Sequence, residues 1–333
     1  MGDPKWAARD GVGVDTTTRI ERRGAGTGNG AGFSSRSLRH RQVRVGLLFV
    51  SPWILGFLAF YLYPFFATLY YSFTTFTGVG NAKIVGFANY SGLFHDGEFH
   101  TALFNTLYYT AFEVPFSTIA AIGLALLLNM KVKGQAFYRT VFYIPSIVPL
   151  VASCLIFVWI FEPSFGIVNS ILSDVHIQGP AWFASITWSK PTLILLGLWG
   201  LGQPMVIYLA ALQGVPQEMY EVTALEGAGP WQRLRHVTLP MISPVILFNM
   251  ILSLVLSIQY FSQAYIIESN PPGGGGPGTS TEFYVVYLYQ QAFQDLHLGY
   301  ASAMAFILFV IVLLITIALF KWSARWVYYA NEE

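Results

Sequence analysis

The sequence predicts an all-α integral membrane protein with six transmembrane helices. Three observations predict it. Only 11% of the 333 residues are charged and 54% are hydrophobic, whereas soluble chains run near a quarter charged. Six apolar segments are long enough to cross a hydrocarbon core of about 30 Å. Sixteen of the 18 Lys and Arg fall on one side of the alternating loops, the asymmetry that marks a cytoplasmic face.

Residues 1–42 are polar, carry a glycine-rich run from Gly24 to Gly32, and read as a flexible cytoplasmic tail. That run has no Lys-Ser or Lys-Thr behind it and is not a phosphate loop. No cleaved secretory signal fits the N-terminus. The six segments run Val43–Phe66, Ala102–Leu128, Tyr138–Phe161, Pro191–Leu212, Met241–Ile267 and Ala301–Phe320. They make a six-span domain over 43–325, with 326–333 as a cytoplasmic end. Pro64, Pro115, Pro145, Pro149, Pro204 and Pro244 fall inside them and predict kinks, which membrane helices tolerate. Kinks suit alternating opening, but proline is frequent in spans generally. The lone cysteine, Cys154, sits in an apolar run, so no disulfide forms within the chain.

Charge fixes the orientation. Basic residues lie at the N-terminal end, at Lys131, Lys133 and Arg139, at Arg233 and Arg235, and at Lys321 and Arg325; the opposite loops hold only Lys83 and Lys190. Both termini and the long loop around Glu221 are therefore expected in the cytoplasm. The opposite loops are net acidic and mix turn formers with aromatics, as in Phe87-Ala88-Asn89-Tyr90 and Pro180-Ala181-Trp182-Phe183. Those aromatics pack locally or meet a soluble partner. The last such loop, from Asn270 to Ser280, is expected to be irregular.

The loop 213–240 is polar yet patterned. Pro216 suits a first helical position, Glu218 and Glu221 favour the helix N-terminus, and Gly227 and Gly229 stop the helix. Pro230 restarts a second helix carrying Trp231, Leu234 and Val237, and Pro240 is expected to close it before the fifth span. On the residues alone this is either a surface-lying hairpin, with Glu221 paired to Arg233 or Arg235, or a docking element.

No catalytic constellation is present, so the chain is read as a non-enzyme. The six histidines lack metal-ligand spacing and no nucleotide-binding motif occurs; if ATP drives this protein, another chain hydrolyses it. Polar groups inside the spans are the candidates for a solute path. Ser253, Ser257 and Tyr260 recur at i, i+4 and i+7 on the fifth span, with Gln259 and Gln263 nearby. Trp199, Gly200 and Gln203 stand midway along the fourth. Hydroxyls, an amide and aromatic faces suit a sugar, but serine and glycine also pack membrane helices. Glu113 lies about 15 Å deep in the second span, where an acid is a functional candidate or a satisfied structural group.

Glu221, Ala224, Glu226-Gly227-Ala228, Leu239-Pro240 and Pro244 resemble the E-A-A…D-G-A…L-P…P loop of ABC-importer permease subunits. Val222 and Thr223 replace two alanines of that pattern, and Glu226 replaces its aspartate. Asn105-Thr106, Phe137-Tyr138-Arg139, Pro145, Gly166 with Asn169, Tyr208-Leu209-Ala210 and Gly299-Tyr300-Ala301-Ser302-Ala303 resemble the carbohydrate branch, the maltose and glycerol-phosphate type. The resemblance implies a cytoplasmic coupling-helix loop between helices 4 and 5. Its ATPase-coupling residues would be Glu221, Ala224, Glu226, Gly227, Ala228 and Pro240.

The partners implied are a second permease subunit of different sequence, two ATPase subunits holding ATP and Mg, and an extracytoplasmic sugar-binding protein or lipoprotein. The setting implied is a bacterial or archaeal cytoplasmic membrane, with lipid around the spans and no role for nucleic acid. No cofactor is expected in this chain. The implied function is that of the permease half of an ATP-driven sugar importer working by alternating access. Three alternatives stand beside it: a permease for a non-sugar solute such as a glycerophosphodiester or polyol, a proton-coupled secondary transporter using Glu113, and a non-transporting anchor. The secondary transporter would usually show repeat symmetry, which the sequence lacks.

Overall fold

The computed structural model describes residues 35–130, 133–268 and 277–328, with side chains from Val45 onward. Most of the expected tail and most of the glycine-rich loop from Asn270 lie outside the described residues. The chain divides into two units, Met1–Phe60 and Tyr61–Glu333. In the first, α1 (Ser35–Phe57) begins inside the stretch expected to be flexible. Ser51 donates to the Leu48 carbonyl at 2.8 Å beside Pro52, and Trp53 stacks on Phe57 one turn later. The helical run Val45–Tyr71 is long and apolar enough to cross a membrane. It contains a π turn at Leu58–Leu62, ahead of Pro64 in α2 (Tyr63–Tyr71).

The second unit is built on one long helix. After α3 (Ala88–His95), Asp96 caps α4 (Gly97–Asn129) by accepting the Glu98 and Phe99 amides at 2.9 and 3.3 Å. The 33 residues of α4 bury Ala121 and Ala125 against Met205, Tyr208 and Leu209, small side chains allowing helix axes to approach. Next come α5 (Gln135–Tyr143), a 3₁₀ turn at Ile144–Ile147 and α6 (Leu150–Ile160), bent by 98°. Pro145 and Pro149 bracket that bend, as their missing amides predict. After α7 (Ile167–Asp174), α8 (Ser189–Leu198) and α9 (Gly202–Gln213) meet at 48° across Trp199–Leu201.

The Glu221 loop holds α10 (Gln217–Leu225) and α11 (Pro230–Arg233). A π turn at Leu234–Thr238 carries α11 into α12 (Leu239–Ile258), and α13 (Ser262–Glu268) follows a break at 259–261. The chain ends with α14 (Tyr284–Tyr289), a π turn at Gln290–Gln294 and α15 (Leu298–Ser323). Among the described residues, four helical runs are long and apolar enough to span, or up to six if each bent pair is one span.

Two expectations are corrected. Pro240 does not close the second loop helix: helix continues from Pro230 to Ile258. The π turn absorbs the proline, because its wider ring, closed by the Leu239 amide on the Leu234 carbonyl, relaxes the ladder where Pro240 lacks a donor. Tyr260 does not continue the helical face of Ser253 and Ser257, because it lies in the non-helical break after α12.

The residues singled out in the acidic loops are structural ties. Asn105 donates to the Thr279 and Glu282 carbonyls, both at 2.9 Å, and Thr106 accepts the Tyr284 amide. Asn169 accepts from the Trp182 indole at 2.7 Å and donates to the Pro163 carbonyl. Gly299 is required by close approach, since a Cβ there would lie 1.9 Å from the Thr74 carbonyl oxygen. Packing, rather than open display, accounts for Trp182.

Candidate functional site

Three helix breaks converge. The bend between α5 and α6 supplies Pro145, Ser146 and Val148; the α8–α9 break supplies Trp199 and Gly200; the α12–α13 break supplies Tyr260. They line one cavity of about 250 Å³. A second, of about 170 Å³, adjoins it through Gly197, Tyr260 and Gln263 and adds Tyr109, Glu113, Ser253 and Ser257. Irregular backbone inside a span persists only where protein or a solvated cavity satisfies its polar groups. Six of the seven span candidates therefore line two neighbouring spaces that share Gly197, Tyr260 and Gln263. The seventh, Gln203, is exposed on another face of α9 and lines neither.

The geometry of the walls is specific. The Tyr260 side chain is 5% exposed, and its hydroxyl is buried beside that of Tyr109. Its ring lies 4.3 Å from that of Tyr109 and 5.3 Å from that of Phe283, which are 5.5 Å from each other, so the three rings form one mutually packed cluster. Ser257 donates to the Leu254 carbonyl at 3.0 Å and keeps its oxygen as an acceptor. Trp199 is set edge-on to Phe157 at 5.3 Å. Gly197 lets α8 approach α4: a Cβ there would meet the Tyr109 hydroxyl at 3.0 Å and the Glu113 Cγ at 3.2 Å. Hydroxyls, an amide, a carboxylate and flat rings around a small space can bind a polyhydroxylated solute.

Sequence reasoning missed Tyr109 and Gly197. Tyr109 lies four residues before Glu113 and so shares its helix face, a signal that was present. Gly197 gave none, because its role depends on which helix passes it.

The Glu221 loop is a rigid elbow. Gly227 adopts φ +79°, and the Gly227 and Ala228 amides return to the Ala224 and Thr223 carbonyls at 3.1 and 3.0 Å. Those two bonds form a Schellman stop, which a residue with a Cβ resists. Arg233 braces the far side by donating to the Ala228 carbonyl at 2.9 Å, rather than serving the expected surface pair with Glu221. The Tyr220 hydroxyl lies 3.1 Å from that of Thr238 and ties α10 to the π turn. Glu221, Ala224 and Glu226 are exposed, and so are Val222, Trp231 and Leu225, the last at 89%. An exposed apolar surface on a braced helix fits a partner. Pro240 is half-buried at the head of α12, away from that exposed group.

A third cavity, of about 420 Å³, lies at the acidic-loop end. Asp96 anchors it by accepting from the hydroxyls of Tyr287, at 2.6 Å, and Tyr300. Burial pushes the Asp96 carboxyl up, but the two tyrosines and the Phe99 and Glu98 amides outweigh it and hold the carboxyl below its ordinary range. Nearby Glu282 is 5% exposed with Oε2 unpartnered among the described residues. Burial first, then the charges of Glu98 and Asp96, push its carboxyl up to about 7.

Residues 114–328 match a family described as "Binding-protein-dependent transport system inner membrane component". The chain is similar to a "Probable ABC transporter permease protein YesP" of Bacillus subtilis, 39% identical over 92% of this chain and 99% of that one. It is similar to the "Lactose transport system permease protein LacF" of Rhizobium radiobacter, 33% identical over 88% of this chain and 98% of the relative. Its fold matches a chain of a bacterial ABC transporter "involved in the import of the acidic polysaccharide alginate", with a TM-score of 0.75 at 24% identity, covering 87% of this chain and 98% of that chain.

Proposed function

Since the chain belongs to the family of binding-protein-dependent transport system inner membrane components, we propose that it is the permease half of an ATP-driven carbohydrate importer. The observation that carries the solute path is the convergence of three helix breaks on Tyr260, Trp199 and Gly200. Breaks at the centre of spans give two packings a place to interchange, as alternating access requires. Polar side chains at the same point give a sugar its partners, and a relative named for lactose transport supports that solute class.

In this reading each bent pair is one span, giving six across 43–325, with the coupling loop 213–240 between the fourth and fifth. Both termini face the cytoplasm of a prokaryotic cell. The exposed face of α10, with Glu221 and Ala224, seats in an ATPase subunit, and the elbow of Glu226, Gly227 and Ala228 fixes its angle. Pro240 acts at one remove, through the π turn that joins the loop to the fifth span. The complete importer holds a second permease chain, two ATPase subunits that bind ATP and Mg, and an extracytoplasmic sugar-binding protein meeting the acidic loops. ATP binding draws the loop helices together and opens the path outward; hydrolysis resets it.

The test is uptake by the whole complex reconstituted in vesicles with its binding protein. Tyr260→Phe, which keeps the packed ring and removes only the hydroxyl, should lower transport of the sugar the binding protein carries by about tenfold, a loss worth one good hydrogen bond to a bound solute. Assembly and ATPase content should be unchanged. Normal uptake by Tyr260→Phe and Ser257→Ala together would remove the path from this cavity.

A further inference from the structure

We infer that Glu113 makes the solute cavity selective by charge, admitting neutral and cationic carbohydrates and rejecting anionic ones. The inference rests on the path reading above and names the substrate class of that same site.

The described residues lining the two neighbouring cavities include no Lys, Arg or His, and Glu113 is the one acid among them. A lone carboxylate in a space with low-dielectric walls is poorly screened, so its field decides which ions enter. A uronate or sulfonate placed beside Ser253 would meet that carboxylate with no compensating cation among this chain's described lining residues. A neutral sugar would offer it a hydroxyl donor, and an amino sugar an ammonium.

Glu113 is also held in place. Gly197 leaves room for its Cγ and Oε1 against the α8 backbone, so the acid lies at the wall where α4 and α8 meet. On the same cavity the buried Tyr260 hydroxyl lies against that of Tyr109, which can donate to it and leaves the Tyr260 O–H as the donor for a solute oxygen. A donor from Tyr260 and an acceptor from Glu113 define a site for an alcohol group, which can accept from one and donate to the other. A carboxylate can only accept, so it satisfies the first and is repelled by the second. The fold does not dictate this, because a transporter of the same fold is described as importing an acidic polysaccharide.

The experiment reads the cavity's field without knowing the sugar. Ser253→Cys, in a Cys154→Ser background, is placed in the full-length chain within its solubilised complex. It is then reacted with two methanethiosulfonates of similar size, one bearing trimethylammonium and one sulfonate. After correction for their rates on a free thiol, the cationic reagent should react at least about tenfold faster. The preference should collapse toward unity in Glu113→Gln and persist in Glu113→Asp. Equal corrected rates with Glu113 present overturn the inference, whether or not the glutamine variant assembles. A preference unchanged in an assembled Glu113→Gln complex overturns the role of Glu113. Failure of both reagents to react overturns the solute path itself, which separates that failure from the loss of charge selection alone.

Discussion

At the scale of single residues, two neighbouring acids carry opposite pH signatures. The Asp96 carboxyl is held below its ordinary value of 3.8 in the fold, so it contributes stability above that value. The contribution is lost as pH falls through the lower folded value. Glu282 is raised from 4.5 to about 7, so its effect is harmless below 4.5 and becomes a penalty as pH rises through 7. Glu282→Gln should therefore leave thermal stability in mild detergent unchanged near pH 4. At pH 8 it should raise stability by on the order of 2 kcal/mol. Asp96→Asn should cost about 1–2 kcal/mol at neutral pH, by weakening the cap of α4 and two tyrosine bonds, and cost nothing in strong acid. Neither role was legible in the sequence: Tyr287 and Tyr300 lie 191 and 204 residues from Asp96, and only the fold brings them to it. Glu113, Ser253, Ser257, Tyr260 and Trp199 were legible, because polar and aromatic groups inside spans are rare enough to notice. Gln203 was chosen by the same rule and faces elsewhere, since composition does not reveal which side of a helix is lined.

At the scale of elements, the Glu221 loop follows its turn chemistry closely. Its glycine stop, its restart at Pro230 and its exposed carboxylate all fall where the residues put them. The continuity into the fifth span did not, because proline reads as an end and the π turn that accommodates it leaves no compositional mark. At Gly227 a Cβ would meet nothing within 4 Å. A substitution there is opposed by the positive φ alone, about 1–2 kcal/mol. Gly227→Asp and Glu221→Ala should leave the protein inserted and assembled but abolish sugar-stimulated ATP hydrolysis by the reconstituted complex. Full activity in both would end the coupling assignment. Leu225→Asp should also release the ATPase during purification, since it places a charge on the most exposed apolar side chain of α10.

At the scale of the whole molecule, each apolar segment read from hydropathy falls on a long apolar helix or on one of the two bent pairs. The sharpest bend is bracketed by Pro145 and Pro149, whereas α4 and α12 run on through Pro115 and Pro244. The break at 259–261 has no such mark, because Gln259-Tyr260-Phe261 holds neither glycine nor proline. There, tertiary packing of Tyr260 in one ring cluster with Tyr109 and Phe283 accompanies the departure from helix. Topology remains open to a direct check by impermeant thiol labelling of intact cells carrying single cysteines in a Cys154→Ser background. Lys83→Cys should label from outside, and Leu225→Cys only after the membrane is opened. The reverse pattern would overturn the orientation.

The unbroken run from Pro230 to Ile258 also has a mechanical meaning. At 1.5 Å per residue it is a strut of about 43 Å, footed in the elbow proposed to meet the ATPase and ending at Ile258, where the break that holds Tyr260 begins. A strut transmits displacement only if it has no slack, and its one irregular turn is clasped by the Tyr220–Thr238 pair. A stroke at the foot would then arrive at the head nearly undiminished, and the compliance would lie in the break beside the solute. Two glycines inserted after Thr238 should leave both ends intact and disconnect them: ATP would still be bound below and sugar above, with neither sensing the other.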